Sequence, residues 1–354
     1  MKKLVALLLI ATGVLTISCK KEMAGTVKNI SQDSLMAAAS TMDASAQSTK
    51  YGVLVNGLDG DKKITVSNKL KVKYVRDQVI LKDFTGKAPL LDKYRSNGFN
   101  ILLTFLNSSD GGRPVSFPTN MSNYKSMLEK VLKQYKPEIA VIENEPFNDN
   151  RYKNNTSTID DYFKELQTAI DVCHNHGVKV SDGGLKGERV CILVYRNYIK
   201  KGQKNKADDF AKRCLSDKNL RAAKGDADKD VEAKIDQMQK MVDKYKQLNL
   251  DYVNVHWYEP FENINKYPRQ SAPGVLQEVA DYLRSATGKE VITNEFGQNN
   301  DSPDLVESLV DALGGAGFKY AVDFSGEGKT GCVALNKGID LKVNGEAYRD
   351  KINK

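Results

Sequence analysis

The chain is poor in several features that would make its chemistry easy to read, and each shortage removes a class of function. Only one long apolar run exists, Leu4 to Ile17, and it is shorter than the ~20 residues a membrane-spanning helix needs. Neither G-x-G-x-x-G nor G-x-x-x-x-G-K stands at the end of a candidate strand, which counts against a nucleotide cofactor. No C-x-x-C pair occurs among Cys173, Cys191, Cys214 and Cys332. Their irregular spacing points to buried free thiols, with a Cys191–Cys214 bridge as the one alternative. Of three histidines, His174 and His176 form the one close pair, but they end a helical stretch before Gly177, where the partial negative charge of the helix end suits them. No metal site is expected, and no cofactor. Positive residues are interspersed with acids, as in Lys229-Asp230 and Asp243-Lys244. A basic stripe with interleaved aromatics is missing, so nucleic acid is not an expected partner. Tryptophan occurs once, at Trp257.

What is present suits a large soluble fold. The 354 residues are 40% hydrophobic and include 16 Tyr and 11 Phe, enough to offset the entropy of ordering a full core. Length allows one large α/β barrel or two ordinary domains.

The chain opens with Lys2 and Lys3, the apolar run, and then Thr16-Ile17-Ser18-Cys19. These small residues before a cysteine resemble the lipobox of bacterial lipoproteins. The resemblance implies that residues 1–18 are removed as a signal peptide and that Cys19 becomes the acylated N-terminus. An ordinary secretory signal with an incidental Cys19 remains the alternative. Loss of Lys2 and Lys3 takes the formal charge from +8 to +6. Residues 19–49, rich in Ser, Ala, Lys and Met, read as a flexible tether. On this reading the body is a soluble monomer held to a membrane of the cell envelope by lipid.

From Tyr51 onward, short apolar runs alternate with amphipathic segments. The strand candidates are 51–56, 72–79, 100–106, 139–145, 178–182, 252–258, 290–295 and 318–324. Several are continuous Val/Ile/Leu runs, as expected of strands covered on both faces. Helical faces recur between them, as in Tyr124, Met127, Leu128, Val131, Leu132 and Tyr135. Ser302-Pro303 supplies a capping hydroxyl and a first-turn proline. Eight strands with intervening helices predict a (β/α)₈ TIM barrel over residues 50–354 rather than an open doubly wound sheet. The stretch from Lys186 to about Gly225 exceeds a plain connection and reads as helical decoration.

Function in such a barrel sits at the carboxyl ends of the strands. Strand two carries Arg76 and Asp77. Strand four ends in Asn144-Glu145-Pro146, strand six in His256-Trp257-Tyr258-Glu259, and strand seven in Asn294-Glu295-Phe296-Gly297. Two glutamates across one mouth suit glycosidic cleavage, in which one carboxylic acid protonates the leaving oxygen and one carboxylate attacks the anomeric carbon. Arg76 and the Tyr258 hydroxyl would keep Glu295 ionised, whereas Glu145, beside Pro146 and Phe147, would hold a proton until needed.

This pattern resembles clan A of the retaining glycoside hydrolases, the 4/7 superfamily. The resemblance implies Glu145 as acid/base and Glu295 as nucleophile. It also implies Asn144 as the contact to a sugar 2-hydroxyl, with Arg76 and Tyr258 as partners of the nucleophile. Lys73-Tyr74-Val75-Arg76-Asp77 is similar to the second strand of the β-xylosidase and iduronidase branch. His256, Trp257 and Tyr258 complete the expected substrate-binding set. The implied partner is a poly- or oligosaccharide.

Where the clan commonly has a tryptophan at strand eight, this chain has Phe324-Ser325-Gly326-Glu327. Stacking on sugar then falls to Trp257, Phe147, Tyr258 or Phe324, and Glu327 would suit a charged sugar. Plainer readings stand beside these. Glu143 shares the strand parity of Glu145 and could be the acid; Arg76 could pair with Asp77 or Glu143; His256 could be structural. Asp182 before Gly183-Gly184, and Asn107, Ser108 and Asp110, could touch sugar or only shape loops. A surface glycan-binding protein on a decayed barrel is the alternative function. A lyase or aldolase would need a Schiff-base lysine or metal ligands at strand ends, and neither is found.

Overall fold

The computed structural model describes residues 48–110, 113–147, 158–258, 272–326 and 332–354. The signal segment, Cys19, residues 19–47 of the tether and Glu327 therefore lie outside the described residues. Eight parallel strands, β1 (Lys50–Val55), β2 (Tyr74–Ile80), β3 (Asn100–Leu106), β4 (Ile139–Ile142), β5 (Lys179–Asp182), β6 (Tyr252–Tyr258), β7 (Glu290–Gly297) and β8 (Tyr320–Ser325), pair in sequence order. β8 pairs back onto β1, so the sheet closes into a (β/α)₈ barrel. Closure leaves no barrel strand with an open edge.

The barrel interior is filled by Leu102, Ile139, Val141, Tyr252, Ile292, Tyr320 and Val322. Burying each of the aliphatic members stabilises the fold by about 1.5–3 kcal/mol. A second, larger apolar layer lies between the strands and the helices. The helices are α1 (Gly60–Lys69), α2 (Pro89–Ser96), α3 (Met121–Tyr135), α4 (Ile159–Asn175), α5 (Gly187–Lys200), α6 (Lys204–Cys214), α7 (Asp217–Ala223), α8 (Lys229–Tyr245), α9 (Ala272–Thr287), α10 (Pro303–Gly315) and α11 (Val343–Ile352). On α3, Tyr124, Leu128, Val131, Leu132 and Tyr135 turn inward together, as their spacing requires. Thr158 and Asp161 cap α4 reciprocally. The stretch after Lys186 folds as α5, α6 and α7. Cys173, Cys191, Cys214 and Cys332 are buried, and no disulfide joins any two of them.

Two local expectations fail. Ser302 does not cap α10 with its side chain; its own amide is instead held by Asn300 Oδ1 at 2.9 Å. β4 stops at Ile142 rather than Glu145. Glu143, Glu145 and Phe147 have φ of 65°, 45° and 64°, a left-handed conformation that no pleated strand can continue and that non-glycine residues adopt at a cost. The turn is fixed by Glu143 N donating to Phe105 O at 2.9 Å and Glu145 N donating to Gly183 O at 2.8 Å. A Cβ on Gly183 would stand 2.6 Å from Ile142 O, so only glycine lets β5 come this close.

Candidate active site

The left-handed turn after β4 sends two consecutive side chains, Asn144 and Glu145, into the same mouth. β7 achieves the same by another route. Its pairing with both neighbours slips between Ile292 or Thr293 and Phe296, a bulge of the kind that re-aims side chains. Asn294 and Glu295 therefore both face the barrel axis, although strict alternation would part them.

Arg76 ties the two strand ends together. Its guanidinium is 4% exposed and donates to Glu295 Oε2, to Asn144 Oδ1 at 2.6 Å, to Asn294 O at 3.1 Å and to Thr104 Oγ1 at 3.3 Å. It does not pair with Asp77, which faces Lys63 at 3.5 Å. Tyr258 donates its hydroxyl to Glu295 Oε1. Burial opposes ionisation of Glu295 and the charge of Glu145 adds to that. The fields of His256 and Arg76 and the hydrogen bond from Tyr258 outweigh both, holding its carboxyl below the usual glutamate value. Burial and the facing carboxylate push the Tyr258 hydroxyl well up, so it remains a donor.

The carboxyl of Glu145 meets His256. Asn254 Nδ2 donates to Asn294 Oδ1 at 2.7 Å, which makes that oxygen an acceptor, so His256 Nε2 at 2.8 Å must carry a hydrogen. His256 Nδ1 then meets Glu145 Oε1 at 2.8 Å. Whether as imidazole with acid or imidazolium with carboxylate, this pair holds one proton between its two members. His256 Nδ1 also lies 3.9 Å from Glu295 Oε2. One polar atom from each of Glu145, His256 and Glu295 lies within 4.8 Å of the other two. Among the described residues this is also the one trio whose donors could meet at a metal ion, but the Arg76 cation beside Glu295 would repel one.

Behind His256 the backbone of β5 comes very close. A Cβ on Gly184 would be 2.2 Å from His256 Nε2, so the Gly183-Gly184 pair is a close-approach loop against the imidazole. Asp182 is fully buried and accepts from Asn254 N at 2.7 Å and Gly184 N at 3.0 Å. Burial raises its carboxyl to about 7 against those hydrogen bonds. It supports the site from behind and offers nothing to the mouth.

The expectation for Trp257 is corrected. It is 1% exposed and packs outside β6, 3.0 Å from where a Gly187 Cβ would stand. Inward-facing Asn254, His256 and Tyr258 fix the parity of β6, and Trp257 falls on the opposite side. Glu143 is fully buried away from the mouth. It accepts from Asn107 N at 2.8 Å and faces Glu165 of α4, whose carboxyl is pushed well up by burial and by Glu143. Asn107 and Ser108 bind Ser116 at 2.8 and 2.6 Å and so knit the loop after β3. His174 meets Asp251 at 2.9 Å at the far end of the barrel. The aromatics left near the mouth are Tyr258 and the partly buried Phe324, with ring centroids 6.4 Å apart, and the partly buried Phe147.

Comparison with known proteins rests on structure. No protein-family model matches the chain, and no curated protein matches its sequence. Among solved structures it is similar to a GH5-4 broad specificity endoglucanase from Clostridium longisporum, at 13% identity and a TM-score of 0.51 over 87% of this chain and 95% of that one. It is likewise similar to ZgEngAGH5_4, at 14% identity and a TM-score of 0.50 over 86% and 96% of the two chains. At these identities the likeness establishes the (β/α)₈ barrel fold alone.

Proposed function

We propose that the chain is a glycoside hydrolase that cleaves an O-glycosidic bond of a poly- or oligosaccharide with retention. The observation that carries this reading is the approach of Glu145 and Glu295 to within 4.8 Å in opposite surroundings, one clasped by Arg76 and Tyr258, the other sharing a proton with His256. A retaining pair needs carboxyls about 5–5.5 Å apart and environments that separate their protonation states.

In the first step the Glu295 carboxylate attacks the anomeric carbon while Glu145 gives its proton to the departing glycosidic oxygen. The C–O bond to the leaving sugar breaks as the glycosyl–Glu295 ester forms. In the second step Glu145, now a carboxylate, takes a proton from water, whose oxygen attacks the same carbon and releases Glu295. Tyr258 and Arg76 hold Glu295 in position to attack and stabilise it as the leaving carboxylate. Asn144, oriented by Arg76, is placed to bind the sugar 2-hydroxyl. His256 orients Glu145 and balances its charge after proton transfer. Phe324, Phe147 and Tyr258 supply the apolar surface for sugar faces.

We further infer that Cys19 is the lipidated N-terminus of the mature protein in the cell envelope. The lipobox-like Thr16-Ile17-Ser18-Cys19 supports this. Its test is the mass of the mature N-terminal peptide, which carries acyl chains on Cys19 if the reading holds.

The experiment for hydrolysis is a screen of glycans with wild type and Glu295→Ala. Release of sugar by the wild type and not by the variant supports the reading. A glycan that binds both proteins and survives prolonged incubation with either contradicts it and leaves a binding protein in its place.

A further inference from the structure

Along the sequence the cations are interspersed with acids, but the fold separates them. The turns leading from helices into strands, at the barrel end opposite Glu145 and Glu295, carry Lys71, Lys73, Lys136, Lys179, Lys246 and Lys319. The acids of these turns are Glu138, Asp251 and Glu290, and each already has a basic partner. Glu138 meets Lys50 at 2.9 Å, Asp251 meets His174 at 2.9 Å, and Glu290 meets Lys319 at 3.6 Å. Lys71, Lys73, Lys136 and Lys246 are exposed, and among the described residues none of them has an ion-pair partner. A helix C-terminus favours one cation in or just after its last turn. That accounts for Lys136 and Lys246, but not for Lys73 just before β2 or Lys179 at the start of β5. At the opposite mouth, Asp59, Lys82, Asp83, Lys87 and Asp301 mix signs.

Two hollows open among these cations. One, of about 500 Å³, is lined by Arg95, Lys136 and Lys179 together with Glu138. The other, of about 390 Å³, is lined by Lys50, Lys71 and Lys73. The chain also enters the barrel here, through Ser48 and Thr49 into β1.

We propose that this basic end of the barrel docks on the anionic phospholipid headgroups of a membrane surface, leaving the mouth with Glu145 and Glu295 turned away from the bilayer. Unpaired lysines clustered on one face complement a layer of phosphates, each adding to the attraction while it lies within a Debye length of the surface. The hollows can seat headgroup phosphates between cations. The choice of a membrane over another polyanion rests on the Cys19 anchor inferred above, because a lipid at the N-terminus draws the end through which the chain enters toward the bilayer.

The barrel unit, residues 47–354, contains every residue of both apolar cores and can be tested without the anchor. Cosedimentation with phosphatidylglycerol-containing vesicles at low salt is expected to retain it. Phosphatidylcholine vesicles, or high salt, are expected to release it. Lys71→Glu/Lys73→Glu/Lys246→Glu is expected to weaken vesicle binding by at least about 100-fold, given roughly fivefold per lysine. Lys71→Gln/Lys73→Gln, a milder change, is expected to weaken it by about 25-fold. Lys200→Glu/Lys212→Glu, on α5 and α6, serves as the control and is expected to bind as the wild type does. Failure of the wild type to bind anionic vesicles, or equal loss in the control, overturns the proposal, as does binding to polyphosphate or DNA without vesicle binding. Because the assay omits Cys19, it succeeds or fails independently of lipidation and of glycoside hydrolysis.

Discussion

Glu145 and Glu295 lie within 4.8 Å of each other yet are held in different ways. Glu295 stands on a bulged strand with both oxygens engaged by fixed donors, Arg76 and Tyr258. Glu145 stands on a left-handed turn, and its carboxyl meets His256, whose imidazole can give or take a proton. The first arrangement makes a positioned anion. The second sets a carboxyl against an imidazole at hydrogen-bond distance, so that a proton can pass between them. Both use an irregular backbone to aim two successive residues at one mouth, which a regular strand cannot do.

The comparison breaks most sharply at Glu295, the proposed nucleophile. Glu295→Ala is expected to lower kcat by about 10⁴-fold or more on every substrate. Glu145→Gln is expected to lower it by about 10²–10⁴-fold on substrates with poor leaving groups, and far less on activated aryl glycosides, which depart without a proton. Equal, mild losses in the two variants would remove the distinction between the carboxyls.

Tyr258→Phe takes away one hydrogen bond to a charged acceptor, about 1.5–3 kcal/mol, and should cost roughly 10–100-fold in kcat. Its second effect is on pH dependence. The Glu295 carboxyl is held down partly by Tyr258, so in the variant it rises, and the acidic limb of the kcat/KM profile should move to higher pH. A limb that stays or moves down would contradict the clasp. Gly184→Ala tests the other carboxyl. The new Cβ collides with His256, so turnover of substrates with poor leaving groups should fall by about 10-fold or more, with far less loss on activated aryl glycosides.

The smallest expected effect lies away from the mouth. Asp323 is fully buried on β8, and among the described residues neither of its oxygens has a hydrogen-bond partner; burial raises its carboxyl well above the usual range. A carboxyl raised in the folded state favours folding while protonated. That contribution is whole below the unfolded-chain value and is lost as pH climbs through the folded one. Asp323→Asn should therefore be near neutral around pH 4 and gain a few degrees of Tm over wild type as pH rises. A difference that shrinks with pH would contradict this.

Much of the molecule was legible in its sequence because hydrophobic periodicity reports which faces are buried. The eight strands lie within a few residues of their expected positions, and the face of α3 points as its spacing requires. Arg76, Asn144, Glu145, His256, Tyr258 and Glu295 do meet at one mouth. What was not legible depends on backbone that departs from regular geometry. Period-two counting puts Glu143 beside Glu145, but positive φ at both residues turns Glu143 away from the mouth toward Glu165 of α4. It also places Asn294 and Glu295 on opposite faces, and only the bulge brings them together. Trp257 was misassigned although its signal was present, since alternation from His256 and Tyr258 already put it outside. Asn254, which fixes the tautomer of His256 through Asn294, was missed; a polar residue at inward parity in an apolar strand was the clue. The basic end of the barrel could not be seen in the linear order, because its lysines come from separate helix-to-strand turns.

Mass spectrometry of the protein after reaction with 2-deoxy-2-fluoro glycosides carrying activated leaving groups tests the central claim most directly. The fluorine slows both displacement steps, and the activated group lets the first outrun the second, so a covalent intermediate accumulates. The account predicts a single added glycosyl unit on the peptide that contains Glu295, and no such adduct on Glu295→Ala. Turnover of the parent glycosides without any adduct, or an adduct on another residue, would contradict it.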